Sequence, residues 1–485
     1  MVGSLTSAPP PSSTPNLTAA DVTTLIQTAA QAADPNTMVI AVVDRAGRVL
    51  GVYRKPSAPA LVTGNFGAQV DTNELAVSLA RTAAFFSNDQ APLSSRTVRF
   101  ISGIHFPPGI TNTPNAALYG IENTNRGCTL STNFVSGQSL PPARSISGLS
   151  PGLGVVTGKA DVYDSDSTAV NPGGVPLFRN GSLVGGIGVA GASPSVAEYA
   201  AYAAATSNGF GPTPAAPGVI FIDGVALPFV NQTTAPAGIG AGSFTGSFFV
   251  GPSASPGPPP EGTLVAAVAG PLGGLASSDV SQIINNSIAT ANTTRAVIRL
   301  PIGSSARMAI AVADLDGTII GLYRMADSTV FSVDVAASKA RNVVYFSGTA
   351  RTAADLNGVP MGTAVTNRTI GYGAQPFFPP GIDGSAPGPF FNLYMQDVAN
   401  PCTQGFQVAG PNQSGVVFFP GSVPLYKNGN LIGGLGISGD GVDEDDYVAA
   451  GGSAGFEAPT AIRADQVTID GVRLPYQKFP TNPTN

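Results

Sequence analysis

Val175–Gly191 reads VPLFRNGSLVGGIGVAG, and the stretch returns as Val423–Gly439, VPLYKNGNLIGGLGISG. Ten of the seventeen positions are identical, and the others exchange like for like, Phe178 for Tyr426 and Arg179 for Lys427 among them. Asn180-Gly181 and Asn428-Gly429 sit between apolar runs. That dipeptide supplies the two positive-φ residues of a type I′ turn, so each stretch is predicted to be a tight β-hairpin. In the returning arm, alternation puts Leu183, Ile187 and Val189 on one face. On the other face, Gly186 and Gly188 leave bare backbone between Val184 and Ala190. A face stripped in this way admits a helix, a ligand or another chain at close range.

The duplication extends outward from the hairpin. Ala41–Arg54 (AVVDRAGRVLGVYR) matches Ala311–Arg324 (AVADLDGTIIGLYR), and Leu79–Ser87 (LARTAAFFS) matches Lys339–Ser347 (KARNVVYFS). Ile222–Val225 and Leu227-Pro228 return as Ile469–Val472 and Leu474-Pro475. The offset falls from 270 (Asp44 to Asp314) to 260 (Arg81 to Arg341) to 248 (Gly186 to Gly434), so length changes lie between elements, where loops tolerate them. The expected organisation is a tail over 1–16, copy one over 17–230 with a long loop insertion, a Pro/Gly/Ser-rich linker over 231–274, copy two over 275–480 and a tail over 481–485. Helices are expected at Ala19–Ala33 and Ser277–Ala291, on the stripe Leu75, Leu79 and Phe86, and at Pro194–Thr206. Two-residue turns favour antiparallel neighbours, so the fold class is α+β, twice: a mainly antiparallel sheet flanked by helices.

Composition bounds the function. The chain has 485 residues, a net charge of −6 and a pI near 4.8, and shows no basic stripe of the kind that binds nucleic acid. No run of 18 apolar residues occurs; Gly262–Ala276 is short and broken by Pro271, so no membrane span is expected. Met1–Pro15 lacks a basic start and an apolar core and reads as a tail, not a signal peptide. Charged residues at only 11%, with 43 Pro and 60 Gly, lean toward an extracellular or periplasmic protein.

Taken in order and twice, Ala41–Gly47, Leu79–Ala84 and Gly174–Gly191, then Ala311–Gly317, Lys339–Val344 and Ser422–Gly439, resemble the GlcG/HbpS-like haem-binding family. The resemblance covers about half of each copy and leaves 88–170 and 348–415 outside it. It implies a profilin-like layout of a small antiparallel sheet with flanking helices, self-association into larger oligomers, and haem or a related tetrapyrrole as ligand.

Each candidate residue has a plain reading beside the functional one. His105 is the sole imidazole and so the sole possible histidine ligand for haem iron; copy two has Phe377 at the matching place, and the plain reading is a loop histidine. Arg81 and Arg341 hold the same helical position and could grip a carboxylate such as a haem propionate, or simply a structural partner. Asp44 and Asp314 read as residues that fix the strand turns. Gly186-x-Gly188-x-x-Gly191 spells a dinucleotide fingerprint, but it lies inside a hairpin arm where a βαβ unit is required. Gly148–Gly152 matches G-x-S-x-G in a Pro/Ser-rich loop with no elbow, and Asp161, Asp164 and Asp166 lack the spacing of a calcium loop. Cys128 and Cys402 follow matched Pro-Pro-Gly sequences, and are expected either to join the copies in one disulfide or to stay as two buried thiols. The first expectation is an exported, non-catalytic haem-binding protein with His105, Arg81 and Arg341 at the ligand. The alternative is a structural or assembly protein that keeps the fold, has lost the ligand and uses its long loops for homo-oligomer or filament contacts.

Overall fold

The computed structural model describes residues 16–128, 144–148, 151–164, 171–212 and 220–484. Ser150, Asp166 and the tail before residue 16 lie outside them. Copy one runs α1 (Ala19–Ala32), β1 (Val39–Asp44), β2 (Val49–Arg54), β3 (Leu61–Thr63), β4 (Gln69–Asp71), α2 (Thr72–Phe86), α3 (Ser95–Phe100), β5 (Gly174–Arg179), β6 (Ser182–Ala190), α4 (Pro194–Ser207), β7 (Phe221–Ile222) and β8 (Val225–Ala226). Two strands follow, β9 (Ser247–Val250) and β10 (Gly262–Val265). Copy two runs α5 (Ser277–Thr293), β11 (Ala309–Ala313), β12 (Ile319–Arg324), α6 (Phe331–Ser347), α7 (Asn367–Gly373), α8 (Phe391–Ala399), β13 (Ser422–Lys427), β14 (Asn430–Ser438), α9 (Val442–Gly452), β15 (Thr468–Ile469) and β16 (Val472–Arg473).

The two main sheets share one strand order. β5-β6-β1-β2-β9 in the first corresponds to β13-β14-β11-β12-β10 in the second, and every pair is antiparallel. Segment 231–274, read from composition as a linker, instead contributes the outer strand to both sheets. Its aromatic and β-branched runs (Ser247–Val250, Thr263–Val265) satisfy edges that would otherwise be unpaired. Asn180 and Gly181 have φ of 53° and 81°, and Asn428 and Gly429 53° and 80°, which is the I′ turn the dipeptides require.

Each sheet lies between two helical layers. In copy one, α1 and α4 cover one face through Val22, Ile26 and Ala200 against Ile40, Ile187 and Val189. The other face takes α2, through Leu75, Ala76 and Ala80 against Val39, Ala41 and Val43. The stripped glycine face thus receives a helix. A β-carbon built on Gly188 would lie 2.1 Å from the Ala76 carbonyl oxygen, and one on Gly186 2.2 Å from that of Ala80. Copy two repeats this at Gly436 and Gly434 against Ala336 and Ala340, at 2.0 and 2.3 Å. One detail departs from simple alternation. Leu177 pairs with Gly185 but Phe178 with Leu183, so Val184 is an extra residue in β6. That bulge turns Val184 toward α1 and α4, where it packs with Ile187 and Val189, away from the glycines.

The copies meet along a continuous seam. Phe86 stacks on Phe331 with centroids 4.1 Å apart, Tyr119 on Tyr394 at 5.1 Å, and Cys128 is disulfide-bonded to Cys402. Asp327 accepts from Arg45 at 2.5 Å and from Arg299 at 2.6 Å; Arg299 also reaches Asp440 at 2.6 Å and Gln90 at 3.1 Å.

Asp397, at the end of α8, sits in this seam, accepting from the Val416 amide at 2.8 Å. Burial pushes its carboxyl up to about 8, against the opposing pull of the Val416 amide, Asn123 and Arg126. An unfolded chain releases that proton near pH 4. The folded chain therefore binds more protons between about pH 4 and pH 8, and stability falls as the pH rises through that window. Asp397→Asn keeps the acceptor and removes the titration. Urea unfolding should show it gaining stability over wild type at pH 8 and matching it within about 1 kcal/mol at pH 4; an equal difference at both values would contradict the assignment.

Candidate functional site

A cleft of about 800 Å³ belongs to copy two alone and opens where the β11–β12 turn meets the end of α6 and the β13–β14 hairpin. Its walls are Leu315, Val344, Tyr345, Tyr426, Leu431 and Ile462, with an amide rim from Gln404 to Gln413. Gln413 Oε1 and Asn412 Oδ1 on this rim are buried without a hydrogen-bond partner.

A comparison with copy one explains why the cleft exists. In copy one Phe85 lies across the turn, its ring 2.4 Å from where a β-carbon on Gly47 would stand. The matching Gly317 has Asn412 and Arg341 as its nearest neighbours instead. Tyr345, which replaces Phe85, donates its hydroxyl to Asp355 Oδ2 at 2.6 Å. Asp355 lies in an insertion: the buried Ser87–Leu93 backbone clasp of copy one recurs as Ser347–Val365, but 88–92 has grown to 348–364. Asp355 also accepts from the Thr352 and Phe406 amides, both at 2.8 Å, so one carboxylate fastens the insertion, the 404–413 rim and Tyr345 together. Burial and that carboxylate hold the Tyr345 phenol above its usual range, protonated and donating.

The second cleft phenol, Tyr426, stands where copy one has Phe178. Its hydroxyl makes no hydrogen bond among the described residues and is not sealed from the cleft, and partial burial of the side chain pushes it up to about 12. Both of these phenols are phenylalanines in copy one. Sequence reading noted the Phe178/Tyr426 exchange and aligned Phe85 with Tyr345, but gave neither a role, because the hydroxyl's use depends on the distant Asp355 and on open space.

The residues singled out from sequence are not brought together. His105 is buried in the seam, its Nε2 2.8 Å from Asp383 of copy two, and does not line the cleft. Asp383 also accepts from the Asn112 amide at 3.0 Å; that bond and the imidazole hold its carboxyl below the usual range. Arg81 donates Nε to the Gly47 carbonyl at 2.8 Å and an Nη to the Arg144 carbonyl at 2.6 Å. Arg341 repeats the first bond with Gly317 at 2.9 Å and adds Ser414 at 3.0 Å. Both guanidiniums are buried and pulled down to about 10 by burial, and each clamps its strand turn to the helix; only Arg341 lines the cleft. Asp44 secures its turn through the Arg48 amide at 3.0 Å, and Asp314 does so through Leu315 at 2.8 Å.

Residues 17–206 and 284–454 both match the family model described as haem degrading protein HbpS-like. The chain belongs to the HbpS-like family. The two matched regions coincide with the two repeats of the sheet, so both copies are HbpS-like modules. The PduOC:heme complex is 25% identical over 40% of this chain and 99% of its own, with a TM-score of 0.25. Klebsiella pneumoniae protein ORFY is 18% identical over 36% of this chain and 86% of its own, with a TM-score of 0.24. No curated protein matches the chain. Among the described residues no helix is long and apolar enough to cross a membrane, and no three His, Cys, Asp or Glu side chains cluster as metal ligands.

Proposed function

We propose that this HbpS-like chain binds haem or a related tetrapyrrole in the copy-two cleft. The observation that carries this reading is the space left where Tyr345 is drawn to Asp355, within a module of a family described by haem. The volume falls in the ~300–1,000 Å³ range of small-molecule and cofactor sites. Aromatic and branched walls suit the flat ring, and the rim amides suit polar substituents; Arg341 is already committed to its turn, so the carboxylates of a haem belong at the mouth. The partnerless Gln413 Oε1 and Asn412 Oδ1 fit a rim that gains contacts from a ligand. The cystine fits an oxidising compartment, and we place the protein outside the cytosol on that ground.

Absorbance titration with haemin should give a saturable Soret change with an endpoint of one haem per chain, not two. His105→Ala should leave it unchanged. A non-saturating response, or loss on His105→Ala, would overturn the assignment of the cleft.

A second reading, self-association through the same face, is supported by one correspondence. Arg45, Phe85 and Leu183 in copy one lie at the positions of Leu315, Tyr345 and Leu431, and copy one covers this face with copy two through Arg45–Asp327 and the Phe85–Val330 backbone bond. In copy two the rim leaves Val408 89% exposed. Light scattering with and without haemin separates the readings: particles that dissociate as haemin binds favour a face shared by both.

A further inference from the structure

We propose that Tyr426 is the oxygen ligand to the metal of the bound tetrapyrrole; the proposal rests on the haem reading of the copy-two cleft. Three observations favour Tyr426 for this role over the other phenol, the imidazole and the cysteines. First, it lines the cleft, and its hydroxyl has no hydrogen-bond partner among the described residues and is not sealed from the cleft, so the oxygen is open to a ligand. Second, the other phenol of the cleft is spent, since Tyr345 donates to Asp355 at 2.6 Å. Third, the sole imidazole is turned to Asp383 in the seam, and the two sulfurs of cysteine are joined to one another. Phenolate is an established ligand type for ferric haem.

The chemistry balances without a further reactant. The phenol O–H gives its proton to solvent as the oxygen binds ferric iron, and the phenolate charge offsets the net positive charge of the ferric porphyrin. Copy one carries Phe178 at this position and has its turn filled by Phe85, which is why ligation is confined to one module.

The test uses the full chain loaded with haemin, comparing wild type, Tyr426→Phe and Tyr345→Phe by resonance Raman and absorbance. Wild type should show a five-coordinate high-spin ferric spectrum with phenolate modes. Tyr426→Phe should lose those modes and bind haemin about 10–100-fold more weakly or worse, the loss that removal of a mere supporting group already causes at metal sites. Tyr345→Phe should retain the modes. Thermal melting of each apo variant within a few degrees of wild type excludes misfolding as the cause. Saturable haemin binding with the same spectrum in Tyr426→Phe would overturn the ligand assignment and leave the haem reading standing. Absence of saturable binding to wild type would overturn both.

Discussion

Gly188→Ala and Gly436→Ala are each expected to destabilise their module by at least about 3 kcal/mol, the upper end of what overpacking costs. The single added methyl would stand 2.1 Å from the Ala76 carbonyl oxygen in one case and 2.0 Å from that of Ala336 in the other. Both obstacles are helix backbone, which cannot rotate aside as a side chain does. Relief requires the whole helix to lift from the sheet, separating Ala76 and Ala80 from Ala41 and Val43 and opening a packed layer. Gly251 provides the control. It has open space at its β-carbon position and no positive φ, so Gly251→Ala should fall within about 0.5 kcal/mol of wild type. Urea unfolding of the three variants checks this; a loss below about 1 kcal/mol at both buried positions would mean that the helices do not rest on the glycines.

Arg299→Met should cost about 3–5 kcal/mol, the range for removing one member of a buried charge pair. Its guanidinium is fully buried and serves Asp327, Asp440 and, from the other copy, Gln90. Asp440 is equally buried, and burial already raises its carboxyl although Arg299 pulls it down. Without Arg299 the pull is gone, the carboxyl rises further, and the folded chain takes up a proton that the unfolded chain releases. The loss should therefore be largest near pH 8 and shrink toward pH 5. Adding Asp440→Leu should restore part of the stability, because it removes the stranded charge. Equal losses at the two pH values, with no recovery in the double variant, would place the effect in packing alone.

The features readable in the sequence were those that depend on near neighbours. Asn180-Gly181 and Asn428-Gly429 dictate their turn whatever surrounds them, and the glycine run of β6 announces a close approach without naming what approaches. Repetition then carried the layout, since two modules with the same motifs in the same order have to solve the same packing problem. The bulge at Val184 was invisible because a one-residue slip leaves no mark in an alternating pattern that glycines already interrupt. The edge strands of 231–274 were hidden by the prolines and glycines around them, although Ser247–Val250 has a strand's composition.

The site was harder for a physical reason. Rare residue types drew attention to His105 and to the paired arginines, but scarcity does not report direction. His105 faces Asp383, and the arginines face carbonyls of their own turns. The cleft depends on one hydroxyl, because Tyr345 differs from Phe85 by a single oxygen and that oxygen reaches Asp355 only through the fold of an insertion. Tyr426 is marked by the partner it lacks, which no sequence pattern displays.

The chain contains no tryptophan, so a single introduced indole reports its own surroundings without background. Leu431→Trp places it on the cleft wall, and Leu61→Trp places it on the exposed β3 strand of copy one. Steady titration with haemin should quench the Leu431→Trp fluorescence nearly completely at one equivalent, with the Leu61→Trp signal falling far less at the same point. Equal quenching at both positions, or quenching at Leu431→Trp only at large excess, would contradict a tetrapyrrole site in the copy-two cleft.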